Sequence, residues 1–276
     1  MTLKNQFADL HIHSFFSDGL FTPQEILEKA KEVGLSCIAV TDHDCVDALP
    51  LLIEKAPFYS IEVIPAVELT SEVNDTEVHI LGYLIDYQEE KFINKLREIC
   101  SFRKERMQKM IEKLRSFGIN INYQEVLEER VEGSVGRMHL AQILLKHGYV
   151  KSIPEAFYKY IGNHAPCYVG RFKLNPSEAI RIIQEVKGIP VLAHPYKINN
   201  DELIESLIRE GIKGIEVYHP DHSSLAMDNY LDLAKRNSLL VTGGSDCHGI
   251  KGKRELGSIK IDYHWVEEMK ERRNDT

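Results

Sequence analysis

The sequence predicts an α/β barrel carrying a helical insertion, and three observations lead there. The chain opens with a strand, a helix and a second strand in quick succession. Nearly every hydrophobic strand candidate runs into His, Asp or Glu at or near its C-terminal end. From about residue 88 to about residue 169, strand signals vanish and helical periodicity takes over. Parallel α/β barrels build their active sites at the C-terminal ends of several strands, so the pattern points to a closed or nearly closed barrel with one concentrated site.

The opening stretch FADLHIHSFFSDG alternates Asp9, His11 and His13 with Ala8, Leu10 and Ile12. Successive side chains of a strand point to opposite faces, which places Asp9 and the two imidazoles together. Two imidazoles side by side on a rigid strand form a metal clamp; a water-wetted polar face is the alternative these residues alone leave open. In FTPQEILEKAKEVG, Thr22 caps, Pro23 suits the first helical position and Glu25 completes a capping box. Ile26, Ala30 and Val33 then recur at helical spacing before Gly34. A short buried strand from Cys37 to Thr41 delivers Asp42, His43 and Asp44, which completes a parallel βαβ unit.

The rhythm continues downstream. IEVIPAVELT reads as a strand ending in Glu68, TEVHILGYLI carries His79, and GIPVLAHPY finishes with His194. IKGIEVYHPDH presents His219 and His222, and SLLVTGGSDCHG delivers Asp246 and His248. NPSEAIRIIQEVKG repeats the cap, proline and acid arrangement with Asn175, Pro176 and Glu178. Between these segments, Ile93, Leu96, Ile99, Met107, Met110, Ile111 and Leu114 mark one long helix ending at Phe117-Gly118. Shorter helices follow in YQEVLEER, GRMHLAQILLKHG and SIPEAFYKYIG. Such an insertion is too long for a loop and reads as a helical subdomain over the catalytic end. The chain divides into a barrel of residues 1–87 and 170–276 and an insertion of residues 88–169. RKER around Arg103 reads as the solvated face of the long helix.

Bulk properties narrow the chemistry. The 276 residues are 43% hydrophobic and carry a net charge of −8, which argues against a general grip on duplex nucleic acid. An anionic substrate therefore needs local compensation, which divalent cations in an acidic, histidine-rich pocket supply. The five cysteines are scattered without a C-x-x-C, so neither a disulfide framework nor a thiolate zinc site is indicated. No apolar run approaches a membrane span and the start lacks a signal-peptide pattern; together with the cysteines this gives an expectation of a cytoplasmic protein.

The strand-end residues His11, His13, Asp18, His43, Glu68, His79, His194, Asp246 and His248 are too many for one ion. Nitrogen and carboxylate donors without thiolate suit Zn, Mn or Fe, and a carboxylate such as Glu68 bridges two ions. For any single histidine, a core imidazole bonded to a carbonyl is the plainer alternative. The convergence of the whole set favours metal.

DLHIHSFFSDG, AVTDHD, PAVELT, HILGY, VLAHPY and TGGSDCHG resemble, in order, the successive motifs of the polymerase and histidinol phosphatase (PHP) superfamily. The resemblance implies a distorted seven-stranded (β/α) barrel and three divalent metal ions, Mn²⁺, Fe²⁺ or Zn²⁺. Carried over by position, His11, His13, Glu68 and Asp246 would hold one ion, Glu68, His79 and His194 a second, and Asp18, His43 and His248 a third. The implied reaction is hydrolysis of a phosphate monoester by a metal-bridging hydroxide. No G-x-S-x-G or reactive cysteine suggests a covalent intermediate.

The insertion, with GRMHLAQILLKHGYVKSIPEAFYKYIG, is similar to the lid of stand-alone members that act on nucleoside 3′,5′-bisphosphates and the 5′ ends of short RNA. Met138 stands where those proteins usually have proline. Arg137, His139, Arg171 and His222 are the expected substrate contacts, with His222 also the candidate proton donor to the leaving oxygen. Asp9 and Asp42 adjoin the ligands and are expected to orient them. His147, at a helix end, suits the helix dipole. Alternatives are a histidinol-phosphate or cyclic-phosphate hydrolase, a metal-dependent amidohydrolase, and a non-catalytic metal-binding scaffold. Asp18, His43 and the Asp246/His248 pair weigh against the amidohydrolase, which needs no third metal place.

Overall fold

The computed structural model describes residues 6–74, 76–128, 134–170, 174–250, 252 and 254–274. The first half contains β1 (Phe7–Ile12), α1 (Pro23–Glu32), β2 (Cys37–Val40), α2 (Leu49–Tyr59), β3 (Glu62–Val63), β4 (Ala66–Val73) and β5 (Thr76–Tyr83). The helical insertion follows as α3 (Glu90–Ser116), α4 (Tyr123–Glu128), α5 (Arg137–Lys146) and α6 (Ile153–Ala156), the last running into a π-helical turn, Phe157–Ile161. The chain then returns through α7 (Pro176–Glu185), β6 (Ile189–Leu192), α8 (Asp201–Glu210), β7 (Gly214–Tyr218), α9 (Ser224–Arg236), β8 (Leu240–Gly243), β9 (Ile261–Asp262) and α10 (His264–Asn274). Both expected helix starts are built as read. Thr22 and Glu25 form a reciprocal capping box, and the Asn175 side chain accepts from the Glu178 amide at 2.7 Å.

The strands form a mixed α/β fold with two sheets, β3-β2-β1-β9 and β4-β5-β6-β7-β8, neither of them closed on itself. Two isolated parallel bridges join them, Ile12 to Cys247 and His43 to Glu68. The strands are not all parallel. β5 runs antiparallel to both β4 and β6, and β9 runs antiparallel to β1. The reversal follows Val73, where Asn74 adopts φ +49°, a conformation asparagine tolerates better than most residues. IEVIPAVELT is likewise two strands. Pro65, which has no N–H to give a ladder, lies in the break, and Glu68 is the third residue of β4.

Strand alternation sorts the side chains into two layers. Ile38, Val40, Val67, Leu69, Val78, Ile80, Ile215 and Val217 belong to the large core beneath the helices. Ala8, Leu10, Cys37, Ala39, Leu81, Tyr83, Val191 and Leu240 form a second cluster drawn from both sheets, and the Tyr83 hydroxyl crosses to donate to the Leu10 carbonyl at 2.8 Å. Glu68 shares the inward parity of Ala66, and His79 that of Leu81, so both sit above this apolar floor. Strand β1 breaks its own alternation. Its register with β2 slips between Asp9 and Ile12, Ile12 joins the outer core, and Asp9 therefore does not share the face of His11 as strict alternation required. The insertion has a core of its own around Met107, Met110, Leu114, Leu140, Ile143 and Leu144.

Glycine permits a close approach to β1 just after β8. A Cβ on Gly244 would lie 2.3 Å from the His11 nitrogen. Gly244→Ala is expected to lower unfolding free energy by about 1–3 kcal/mol through overpacking, read by urea denaturation. An unchanged midpoint would show that β1 moves away without cost.

Candidate metal centre

Eight of the nine expected donors converge directly with Glu68 or Asp18, and Asp246 completes the set. Glu68 is fully enclosed. Its carboxylate lies 3.4 Å from His11 Nε2, 3.2 Å from His13 Nε2, 3.2 Å from His43 Nδ1, 2.8 Å from His79 Nδ1 and 3.2 Å from His194 Nε2. Asp18 stands 3.3 Å from His248 Nε2, 3.6 Å from His13 Nδ1 and 3.8 Å from His43 Nε2. Asp246 Oδ1 is 3.2 Å from His13 Nε2 and 3.4 Å from His11 Nε2. Among the described residues, three sets offer donor atoms within 4.8 Å of one another: His13, Asp18, His43 and His248; His11, His13 and Asp246; His43, Glu68 and His79. His194 and Asp246 hold φ of +28° and +50°, conformations unusual for non-glycine residues.

The donor set fits divalent cations. His11 Nε2 and His13 Nε2 face each other at 3.2 Å, where one proton at most can lie between two nitrogens that a cation would satisfy together. All the donors are nitrogen or carboxylate oxygen, the combination that borderline and hard divalent ions accept. In the metal-free protein, protons take over this neutralising role. Burial opposes charging His13, yet Asp246, Glu68 and Asp18 push it up to about 10. His79, also opposed by burial, is pushed up to about 9 by Glu68 and Glu77. Burial dominates at His43 and His194, which fall to about 3. Glu68, Asp18 and Asp246 stay well below the usual carboxylate range, because the imidazoles around them outweigh desolvation.

Two residues support the donors, of which Glu216 escaped sequence reading and His219 was seen at a strand end without a role. Glu216, fully buried on β7, accepts from His11 Nδ1 at 2.9 Å and from the His194 backbone at 2.7 Å, fixing two donors from beneath. Desolvation opposes its ionisation, but His11 draws it down to about 2. Its inward parity in IKGIEVY was the available signal. His219 accepts the Asp221 amide at Nδ1, which places its proton on Nε2, 3.3 Å from Asp246 Oδ2.

Other expectations change. Asp9 holds the Ser245 and Gly257 amides, and Asp42 holds Ser14 and Ser17; both brace loops rather than imidazole rings. His139 Nδ1 accepts the Gly136 amide at 3.0 Å, so the ring serves as a helix cap. His222 is buried and donates Nδ1–H to the Val217 carbonyl at 2.7 Å. Burial lowers its pKa, and with Nδ1 donating, the neutral ring keeps Nε2 as an acceptor. Arg171 lies outside the described residues. Arg103, read as solvated, instead pairs with the buried Asp44.

Three cavities border the cluster among the described residues, one of them, about 520 Å³, between His79, His194, Glu77 and Asn163; the other two carry most of the donors. The larger, about 640 Å³, is walled by Glu68, His79, His194, Asp246, Lys197 and Arg254. Arg254 forks between Asp246 and Asp221. The smaller, about 150 Å³, is lined by Asp18, His43, Arg103, Arg106, Arg137 and Phe157. Arg137 donates to Asn163 at 2.9 Å and lies 3.6 Å from Glu77, its guanidinium over the Phe157 ring.

The profile of the PHP domain matches residues 9–173. A 3′,5′-nucleoside bisphosphate phosphatase of Chromobacterium violaceum is 32% identical over 90% of this chain and 90% of its own length. A phosphoribosyl 1,2-cyclic phosphate 1,2-diphosphodiesterase of Eggerthella lenta is 29% identical over 89% and 95%. Two solved structures superpose closely. A Bifidobacterium adolescentis protein described as a metal-dependent phosphoesterase has TM-score 0.89 at 29% identity, covering 97% of this chain and 96% of the other. A Chromobacterium violaceum protein called an amidohydrolase, solved with sulfate and without metal, has TM-score 0.84 at 30% identity, covering 92% and 91%. Fold, donors and relatives define a class, the metal-dependent phosphoesterases. Within that class, the chain belongs to the PHP domain family. Among the described residues no helix is long and apolar enough to cross a membrane.

The electrostatics predict how metal binding responds to pH. Because His13 and His79 titrate near 10 and 9 without metal, both are protonated at pH 7, and a cation must displace those protons. His11 is likewise held well above its ordinary value by Glu216, Glu68 and Asp246 despite its burial, so calorimetric titration with Mn²⁺ in buffers of differing ionisation enthalpy is expected to report release of about three protons at pH 7, with affinity rising towards pH 9. Proton release near zero would contradict the assignment.

Proposed function

We propose that the protein hydrolyses a phosphate monoester of a nucleotide, a nucleoside 3′,5′-bisphosphate or a 5′-phosphorylated short RNA, using three divalent ions. The observation that carries this reading is the packing of five imidazoles around Glu68, beside a second group centred on Asp18. In it, His11, His13, Glu68 and Asp246 hold one ion, Glu68, His79 and His194 another, and Asp18, His43 and His248 the third, as Mn²⁺, Fe²⁺ or Zn²⁺. Such ions would supply water activated near neutral pH and neutralise the phosphoryl oxygens.

The remaining work falls to the chain. Glu216 and His219 hold His11 and Asp246 in place. Arg137, opening α5 at the edge of the smaller cavity, takes phosphoryl oxygens through its planar fork. The larger cavity has room for a nucleoside beside the donors. The two isolated bridges between the sheets support reading β1, β2, β4, β5, β6, β7 and β8 as a distorted seven-stranded barrel, with residues 88–169 as its lid. The bisphosphate phosphatase similarity over nine-tenths of the chain supports the nucleotide substrate. The Eggerthella lenta relative supports a second reading, hydrolysis of a cyclic phosphate ester at the same site.

The deciding experiment is metal analysis followed by rates on adenosine 3′,5′-bisphosphate, a 5′-phosphorylated oligoribonucleotide, a ribose 1,2-cyclic phosphate and histidinol phosphate with Mn²⁺ supplied. His13→Ala and Asp246→Ala are expected to lose bound metal and nearly all turnover, whereas Arg137→Ala raises KM with a smaller effect on kcat. Glu216→Gln is expected to weaken metal binding roughly 10- to 100-fold without touching substrate. Wild-type turnover in His13→Ala would refute the proposed roles, as would a metal-loaded wild type inert towards every phosphate ester.

A further inference from the structure

Asp44 directly follows His43 and is completely buried. It is held at φ +51°, in the left-handed region. Its backbone nitrogen donates to the Glu68 carbonyl at 2.9 Å, continuing the isolated bridge between His43 and Glu68. One side-chain oxygen accepts the Thr70 amide at 3.0 Å. The other receives Arg103 of α3, whose Nε donates at 2.7 Å. Arg103 Nη2 also donates to the Thr70 hydroxyl at 2.9 Å, and that hydroxyl lies 3.4 Å from His43 Nδ1. One turn earlier on α3, the Cys100 thiol reaches the Asp44 carbonyl at 3.5 Å.

A helix of the insertion thus grips, from two positions, the loop that presents His43. A buried carboxylate deprived of its cation is left uncompensated in a low-dielectric setting, and a left-handed residue persists only where its surroundings hold it. Losing the strut would let the peptide at Asp44 relax and turn the neighbouring imidazole away from Asp18 and His248.

We propose that Arg103 is a positioning residue which, through Asp44 and Thr70, makes the orientation of His43 depend on the docking of α3. The ion assigned to Asp18, His43 and His248 is then assembled only when the insertion is seated. This rests on the metal reading above and assigns to the insertion a role in completing the centre, besides covering it.

The test is calorimetric titration of the metal-free, full-length protein with Mn²⁺, alongside Arg103→Met, Arg103→Lys and the double variant Arg103→Met/Asp44→Asn. The double variant removes the uncompensated charge and keeps a residue that tolerates the left-handed conformation, so folding is preserved while the strut is absent. Arg103→Met and the double variant are each expected to lose affinity for one ion by roughly 10- to 100-fold, the remaining ions binding as before. Arg103→Lys should recover part of that loss, since an ammonium still reaches the carboxylate. A folded double variant that binds every ion as tightly as wild type overturns the proposal, and so does an equal weakening of all ions, which would mark a merely structural role. A wild type that binds no Mn²⁺ at all would instead overturn the metal reading beneath it.

Discussion

The Glu68 carboxylate is the constraint from which the rest of the structure can be derived. It is buried and touches five imidazoles contributed by β1, β5 and the segments that follow β1, β2 and β6. Enclosing a carboxylate costs several kcal/mol unless opposite charge and hydrogen bonds compensate, and imidazoles provide that only when aimed within bonding distance. Each strand must therefore end at a definite depth. The apolar floor beneath, with Tyr83 reaching across to Leu10, fixes that depth for both sheets. Above it, the same carboxylates that hold the imidazoles protonated in the metal-free protein are those a divalent cation would neutralise.

Irregularities in the sheets follow from this demand. His79 belongs to a strand running against its neighbours, so it reaches Glu68 from inside the strand, directly above Leu81, and not from a strand end. In β1 the register slip turns Asp9 outward to brace Ser245 and Gly257 while His11 turns to Glu216. A regular ladder would have put Asp9 and His11 on one face and sacrificed either the brace or the donor. Gly244 lets β8 approach the backbone of His11 at the same level. Local departures from ideal geometry thus coincide with the places where two functions compete for one strand.

Much of this was legible in the chain because metal donors have few alternatives. His, Asp and Glu at the ends of apolar runs are conspicuous, and the helix caps at Thr22 and Asn175 are local devices that depend on nothing distant. What could not be read depends on partners remote in sequence. Glu216 resembles any polar residue of a strand until its inward parity is set against His11, 205 residues away. Arg103 shares its helix with many solvated charges, and only tertiary packing distinguishes it by bringing Asp44 to its guanidinium. The reversal of β5 hinged on a tight turn at Asn74, masked by flanking runs that suit either strand direction. The bond from His222 to the Val217 carbonyl could not be foreseen, because a histidine near a strand end is equally suited to a ligand and to a carbonyl of its own strand.

Charge is divided between the two parts of the chain in a way that bears on substrate choice. The strand-bearing segments supply the acids and imidazoles, so with cations bound their surface is suited to phosphoryl oxygens at the reacting centre. The insertion supplies guanidiniums, with Arg103, Arg106 and Arg137 lining one small cavity that also touches Asp18 and His43. These cations are already engaged, Arg103 with Asp44, Arg106 with the Val169 carbonyl and Arg137 with Asn163. A guanidinium so anchored has little conformational freedom left to lose. Asp18, Asp44 and Glu77 line the same recess, so its three guanidiniums are matched by three carboxylates, and a chain with a net charge of −8 gains no surface that would make it a general polyanion binder.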